Sequence, residues 1–212
     1  MDKLFLCQIP RQKPELTLYE AMDNKRLNVE EAYAYPLHLL MHAYAEKDDH
    51  VRVLLTYNND EEDLERIHEV KAGVLELQKK IGFQFEAENP EDFILLRQEF
   101  KQSLKYQLQL FFSLLDQIKD AQEIYADISF GNKPTPIIMA KLLEYIQKTR
   151  KTKIGHVIYA NLDFTKEKDE QGLREGYIYD ISPLFDLSRQ IDLVVKSKAS
   201  DPDELLGKLL SF

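Results

Sequence analysis

Apolar positions fall into short unbroken runs alternating with longer stretches of helical spacing. Residues 3–9 (KLFLCQI) form the first β-compatible run, and the polar stretch 10–28 keeps no sustained period, which predicts a strand and then a long loop. From Val29 to residue 47 apolar residues recur three and four apart; Asn28 is placed to cap this helix, and Pro36 inside it predicts a kink or a delayed start. Residues 50–57 (HVRVLLTY) read as a second strand. The following segment has acids in its first turn, Lys79 and Lys80 in its last and Gly82 just beyond, which are helix start and stop signals in the right order. FQFEAE (83–88) alternates like a short third strand, and 90–120 runs long and helical. EIYADIS (123–129), apolar on both faces, reads as a central strand of a parallel sheet. A helix at 136–151 follows, then strands within 153–164 and 175–184 joined as an extended hairpin, and a helical tail broken near Ser200 to Pro202.

Strand and helix in alternation predict an α/β fold, a Rossmann-like doubly wound, mainly parallel sheet with a C-terminal β-hairpin and helix, over residues 1–195, with 196–212 as a helical tail. In such sheets ligands collect beyond the carboxyl ends of the strands, where neighbouring connections diverge to opposite faces. Two loops qualify: the one after the first strand and the one after residues 123–129.

Composition narrows the function classes. A net charge of -9 argues against a protein that coats duplex nucleic acid, which requires a broad basic surface, and leaves room only for a local basic pocket. Cys7 is the single cysteine, so neither an intramolecular disulfide nor a cysteine-rich zinc site is available. Pro10 and Arg11 stand where a signal peptide would continue its apolar region, and no run reaches the roughly 18 apolar residues that cross a bilayer, so a soluble, cytoplasmic protein without membrane contact is expected.

The loop after the central strand, SFGNKPTP, carries the densest candidate chemistry. Gly131 permits close backbone approach and positive φ, Ser129 and Thr135 offer hydroxyls, Asn132 an amide, and Lys133 a mobile positive charge. Pro134 or Pro136 suits a first helical turn with Thr135 as its cap, which would aim the positive end of a helix dipole at a phosphate. The simpler account is a tight turn and nothing more. Neither a Walker loop nor a GxGxxG fingerprint is present, and the residues call for no metal and no cofactor. His38 and His42 are four apart on a helix, as in a zinc pair, but lack the HExxH glutamate and a third ligand, so a core or interface place is expected. His156, followed by Val157 and Ile158, reads as structural, and the acids at 60–63 with Glu65 read as a solvated helix start.

The stretches IYADISFGNKPTPIIMAKLLEYI, KIGHVIYANLDF and EGYIYDISPLFDLSRQIDLV resemble the CARF family, the CRISPR-associated Rossmann-fold sensors. Asp127, Ile128, Ser129, Gly131 and Lys133 match the family's first motif, and Asp180, Ile181, Ser182 and Pro183 its second; Phe130 departs from it, standing where many members carry His or Gly. The resemblance implies a homodimer that binds a cyclic oligoadenylate, cyclic tetra- or hexa-adenylate, across its two-fold axis. The ligand-binding residues it implies are Gln8, Ile9, Pro10 and Arg11 after the first strand and Ser129, Phe130, Gly131, Asn132, Lys133 and Thr135 after the fourth, with Asn24 to Arg26 as a lid. Arg11 and Lys13 have a simpler account as solvated surface charges.

Some family members only sense the ring and others cut it. Cutting would be metal-independent, with the ribose 2′-hydroxyl attacking its own phosphate to leave a 2′,3′-cyclic phosphate, and with Lys133 and Ser129 as the catalytic residues. Two alternatives stand beside this: the sensor portion of a longer effector without its catalytic domain, and an unrelated Rossmann-like interaction protein.

Overall fold

Strands apolar on both faces must be covered on both, and the architecture follows from that requirement. The computed structural model describes residues 1–58, 61–98, 103–119, 122–131, 133–162, 168–170 and 172–210. The strands are β1 (Asp2–Gln8), β2 (Thr17–Ala21), β3 (His50–Tyr57), β4 (Phe93–Arg97), β5 (Glu123–Asp127), β6 (Lys153–Leu162) and β7 (Arg174–Asp180). They form one seven-stranded sheet in the order β2-β7-β6-β5-β1-β3-β4. The run from β6 to β4 is parallel, and β7 turns back antiparallel to β6 as the predicted hairpin.

Alternation along β1 divides the core. Phe5, Cys7 and Ile9 face a layer made by α1 (Pro36–Tyr44) and α2 (Glu61–Ile81). Leu4 and Leu6 face α3 (Leu104–Gln117), α4 (Pro134–Thr149) and the start of α5 (Pro183–Ser197). All five residues, Ile9 just beyond the strand included, are essentially inaccessible to water, and burying each large side chain contributes about 1.5–3 kcal/mol. A last helix, α6 (Pro202–Leu210), packs along α5, so the tail breaks between 197 and 202 as its sequence predicts. Among the described residues no helix is long and apolar enough to cross a membrane.

Several expected elements differ. The predicted loop 10–28 contains β2 and a 3-10 turn at Lys25–Leu27. The strand carries no apolar alternation that marks its buried face, because Thr17 and Tyr19 are buried and Leu18 is exposed. The helix expected from Val29 begins at Pro36, and Asn28 caps nothing there: its Oδ1 accepts from the Ala21 N–H at 2.7 Å. FQFEAE is not a strand of the sheet. Phe83 and Phe85 are buried, but only Gln84 bridges to the start of β3, and the edge strand is FILLR, residues that look like the opening of a long helix. A short apolar run has no period of its own, and at a sheet edge its partner alone decides its conformation. Gly82 ends α2 at φ +90, as expected of a glycine just past a helix.

His38 takes a core place and His42 a half-buried one. His38 is buried with Nε2 donating to the Val70 carbonyl at 3.0 Å, and burial lowers it to about 4, so it is neutral at pH 7. His42 shares a hydrogen bond with the Tyr33 hydroxyl at 2.8 Å. The His38 ring lies flat on Gly73 of α2, where an added Cβ would sit 2.3 Å from His38 Cε1. Gly73→Ala should therefore destabilise the protein by about 1–3 kcal/mol in urea denaturation, although alanine is the better helix former by about 1 kcal/mol. An unchanged or higher midpoint would show that α1 and α2 do not pack through this contact.

Candidate functional site

From β1 the chain first runs past β5, β6 and β7 to β2 at the far edge and then returns through α1 to β3, whereas β5 passes through α4 to its neighbour β6. The strand order still reverses between β1 and β5, with α1 and α4 on opposite faces, and both suspected loops leave from the carboxyl edge there. They meet. A cavity of about 690 Å³ is lined by residues 10–15 of the first loop, by Ser129, Phe130 and Gly131 from the second, and by Ala160 to Leu162 of β6. Its wall mixes prolines and an aromatic ring with Arg11, Lys13 and backbone, and the carboxylate in that wall, Glu15, is paired with Arg174 and Lys168, so the surface can take a flat base joined to an anion.

The second loop is shaped by one buried carboxyl. Asp127 ends β5 fully inside the core, and its Oδ1 accepts from the Ser129 N–H at 2.9 Å and from the Ser129 hydroxyl. The same hydroxyl oxygen accepts the Ala160 N–H at 2.8 Å, so the loop is clipped to β6. Burial lifts the Asp127 carboxyl to about 6, against the pull of its bonds from Ser129 and of the Leu37 N–H in the first turn of α1. Ser129 thus has its hydrogen committed to Asp127, and what it can offer a ligand is a remaining lone pair.

The other predicted residues divide by position. Pro10, Arg11, Ser129, Phe130 and Gly131 line the cavity, whereas Gln8 and Ile9 are buried beneath it. Gly131 holds φ +119, and a Cβ there would meet Gln8 Oε1 at 2.3 Å, so only glycine fits above Gln8. Lys133 is exposed at the N-cap of α4 and is not part of the cavity wall; Asn132 lies outside the described residues. Thr135 is not the cap: it is buried inside the first turn. With Pro134 and Pro136 on either side of it, that turn has one N–H among its first three residues, so it offers an anion less than a helix start ordinarily does. Lys13 is held by α2, with Nζ 2.6 Å from Glu69.

The second Asp-Ile-Ser stretch repeats the turn across β6, at the same height: Asp127 and Asp180 are both register partners of Ile158. Asp180 Oδ1 accepts from the Ser182 N–H at 3.0 Å and from its hydroxyl at 2.5 Å, while Ser182 Oγ accepts the Val157 N–H of β6 at 2.8 Å. Asp180 Oδ2 takes His156 Nδ1 at 2.6 Å and Asn24 Nδ2 at 2.7 Å, and His156 stacks on Tyr44 at 4.2 Å. Burial would raise Asp180, but His156, Ser182 and Asn24 hold it at about 2. This cluster ties β6, β7, α1 and the 3-10 turn together on the α1 face. Asn24 and Arg26 are thus bound to Asp180 and to the end of α1 and are not in the cavity wall, and His156 has the structural place expected of it.

No family model matches the chain. Over 101 residues it is 30% identical to a CRISPR-associated protein of Methanocaldococcus jannaschii, a match that covers 48% of this chain and 15% of that relative. The similarity is distant, and the fold it accompanies is the Rossmann-like α/β sheet described above.

The Asp127 turn makes a pH-dependent contribution of determined sign. Its folded pKa, about 6, lies above the ordinary 3.8, so the native state holds the proton longer than the unfolded chain, and this contribution to stability is lost as pH rises from about 4 through 6. Asp127→Asn keeps one acceptor for Ser129 and removes the buried charge. Above pH 7 it should be more stable than the parent by about 2 kcal/mol, with the difference shrinking as pH falls below 6. Equal stabilities across pH 4–8 would show that the carboxyl is not desolvated.

Proposed function

We propose that this chain is a CRISPR-associated sensor that binds a cyclic oligoadenylate in the cavity at the β1/β5 divergence. The observation that carries the reading is the meeting of the loops after β1 and β5 around that cavity, with Arg11 and the Phe130 ring in its wall. The distant similarity to a CRISPR-associated protein supports it, as does the family resemblance of the two Asp-Ile-Ser stretches. In this reading Phe130 stacks on a base, and Arg11 and Lys133 offset phosphate charge on a chain whose net charge is -9.

The ring is shared by two copies of the chain. A cyclic oligoadenylate has internal symmetry, so one loop used twice meets equivalent phosphates through a self-complementary interface. An apolar face next to the loop fits that role: Ile137 and Tyr145 on α4 are 61% and 45% exposed, and Phe112 on α3 is 58% exposed. Pairing through this face brings the two 129–133 loops toward one axis.

Cleavage is the further step of the same reading. The 2′-hydroxyl oxygen attacks its adjacent phosphorus, the bond from phosphorus to the 5′ oxygen breaks, and that oxygen leaves with a proton to give a 2′,3′-cyclic phosphate. Lys133 stabilises the charge that builds on the phosphate, and Ser129, its hydrogen engaged by Asp127, holds the loop that places it.

Thermal denaturation with cyclic tetra- and hexa-adenylate tests binding. One ring should raise stability by about 2.7 kcal/mol when present at a hundredfold excess over its Kd, and Lys133→Ala should weaken that ring roughly five- to tenfold while flattening the salt dependence. Absence of a shift with either ring would favour the interaction-protein alternative. Chromatography of the incubated ligand then separates a binder from a ring nuclease.

A further inference from the structure

Beneath the cavity floor the sheet keeps polar side chains where its neighbours are apolar. Gln8 ends β1 and Thr56 is its register partner on β3, and the alternation along both strands turns them to the α3/α4 face, with Leu6 and Leu54. Gln8 is 1% exposed and Thr56 0%. Neither carboxamide atom of Gln8 nor the hydroxyl of Thr56 has a hydrogen-bond partner among the described residues. Gln98, just beyond β4 on the same face, leaves its Nε2 equally unpartnered. Buried polar atoms without partners destabilise a fold, and leucine or valine would fill the same space at no such cost. Three adjacent strand ends share the defect. Gly131, which lines the cavity, is the residue directly above Gln8 Oε1.

We infer that Gln8, with Thr56 beside it, reads the edge of an adenine base that enters beneath Gly131, so that Gln8 is the specificity-determining residue of the nucleotide site. The inference rests on the reading of the site given under Proposed function. The chemistry favours a base over a phosphate, because the unpartnered atoms are amide and hydroxyl groups and none is a cation. It favours adenine because a carboxamide presents one acceptor and one donor side by side. Oε1 accepts from the 6-amino group while Nε2 donates to the adjoining ring nitrogen, and two acceptors in a row, as on guanine N7 and O6, would leave Oε1 facing an oxygen. Gly131 serves this arrangement by being small: any Cβ would occupy the place where the base edge meets Oε1.

Two measurements on the full chain test this. In the absence of ligand, Gln8→Leu and Thr56→Val should keep or raise the denaturation midpoint, because each removes an unpaired buried group; a clear fall in both would show that these atoms have a structural role and would overturn the inference. With ligand, the parent should bind cyclic tetra- or hexa-adenylate about tenfold or more tightly than a ring of the same size built from nebularine, which lacks the 6-amino group, and Gln8→Leu should bring the two rings within about twofold. Discrimination that survives in Gln8→Leu would overturn the assignment to Gln8 while leaving the sensor reading intact. Failure of the parent to bind any oligoadenylate ring would overturn both.

Discussion

A carboxyl buried at the end of a central strand sets the form of this molecule's carboxyl edge. Asp127 sits in the core between two parallel neighbours, and removing an ionisable group from water costs several kcal/mol unless its own surroundings bond to it. The chain meets that cost locally, by folding back so that the Ser129 N–H and hydroxyl both reach Oδ1. That turn then fixes the rest. Ser129 Oγ takes up an N–H of β6, Phe130 and Gly131 are carried to the mouth between β1 and β5, and α4 starts where the turn ends.

The same three-residue device ends β5 and β7, on either side of β6, and its surroundings differ. Asp180 is enclosed by His156, Asn24 and Tyr44, each bonded or stacked, and the cluster joins four elements. Asp127 has its own turn and the Leu37 N–H, its loop faces a cavity, and the polar residues at the neighbouring strand ends are left unpaired. Satisfied polar networks rigidify, while unsatisfied ones in a native fold mark places where something besides stability has been selected.

Much of this is legible from residue order alone. The central strands announce themselves by apolar residues on both faces, Gly82 by its place after a basic helical turn, the delayed start of α1 by Pro36, and the hairpin by two β-rich runs around a polar loop. The 129–133 loop is visible as chemistry for the same reason: Gly, Ser and Lys beside a helix start are informative wherever they fall. Gln8 is legible as a neighbour of the site, but its lack of partners is not, since that depends on Thr56, Gln98 and Gly131, brought to it from other strands and the facing loop.

What only the tertiary structure decided lies at the edges and in the third dimension. TLYEA and FILLR are strands because β7 and β3 offer them backbone partners, and a segment with one neighbour need show no apolar period of its own. Asn24 and Arg26 go to Asp180 and the end of α1 because β2 runs antiparallel to β1 and carries them away from the cavity, a direction no local pattern encodes. Thr135 becomes a buried helical residue instead of a cap because α4 begins one residue before it. Local order thus determined the elements and the chemistry they carry. Pairing determined which of those groups meet, because strand direction and register are set by contacts between residues far apart in the chain.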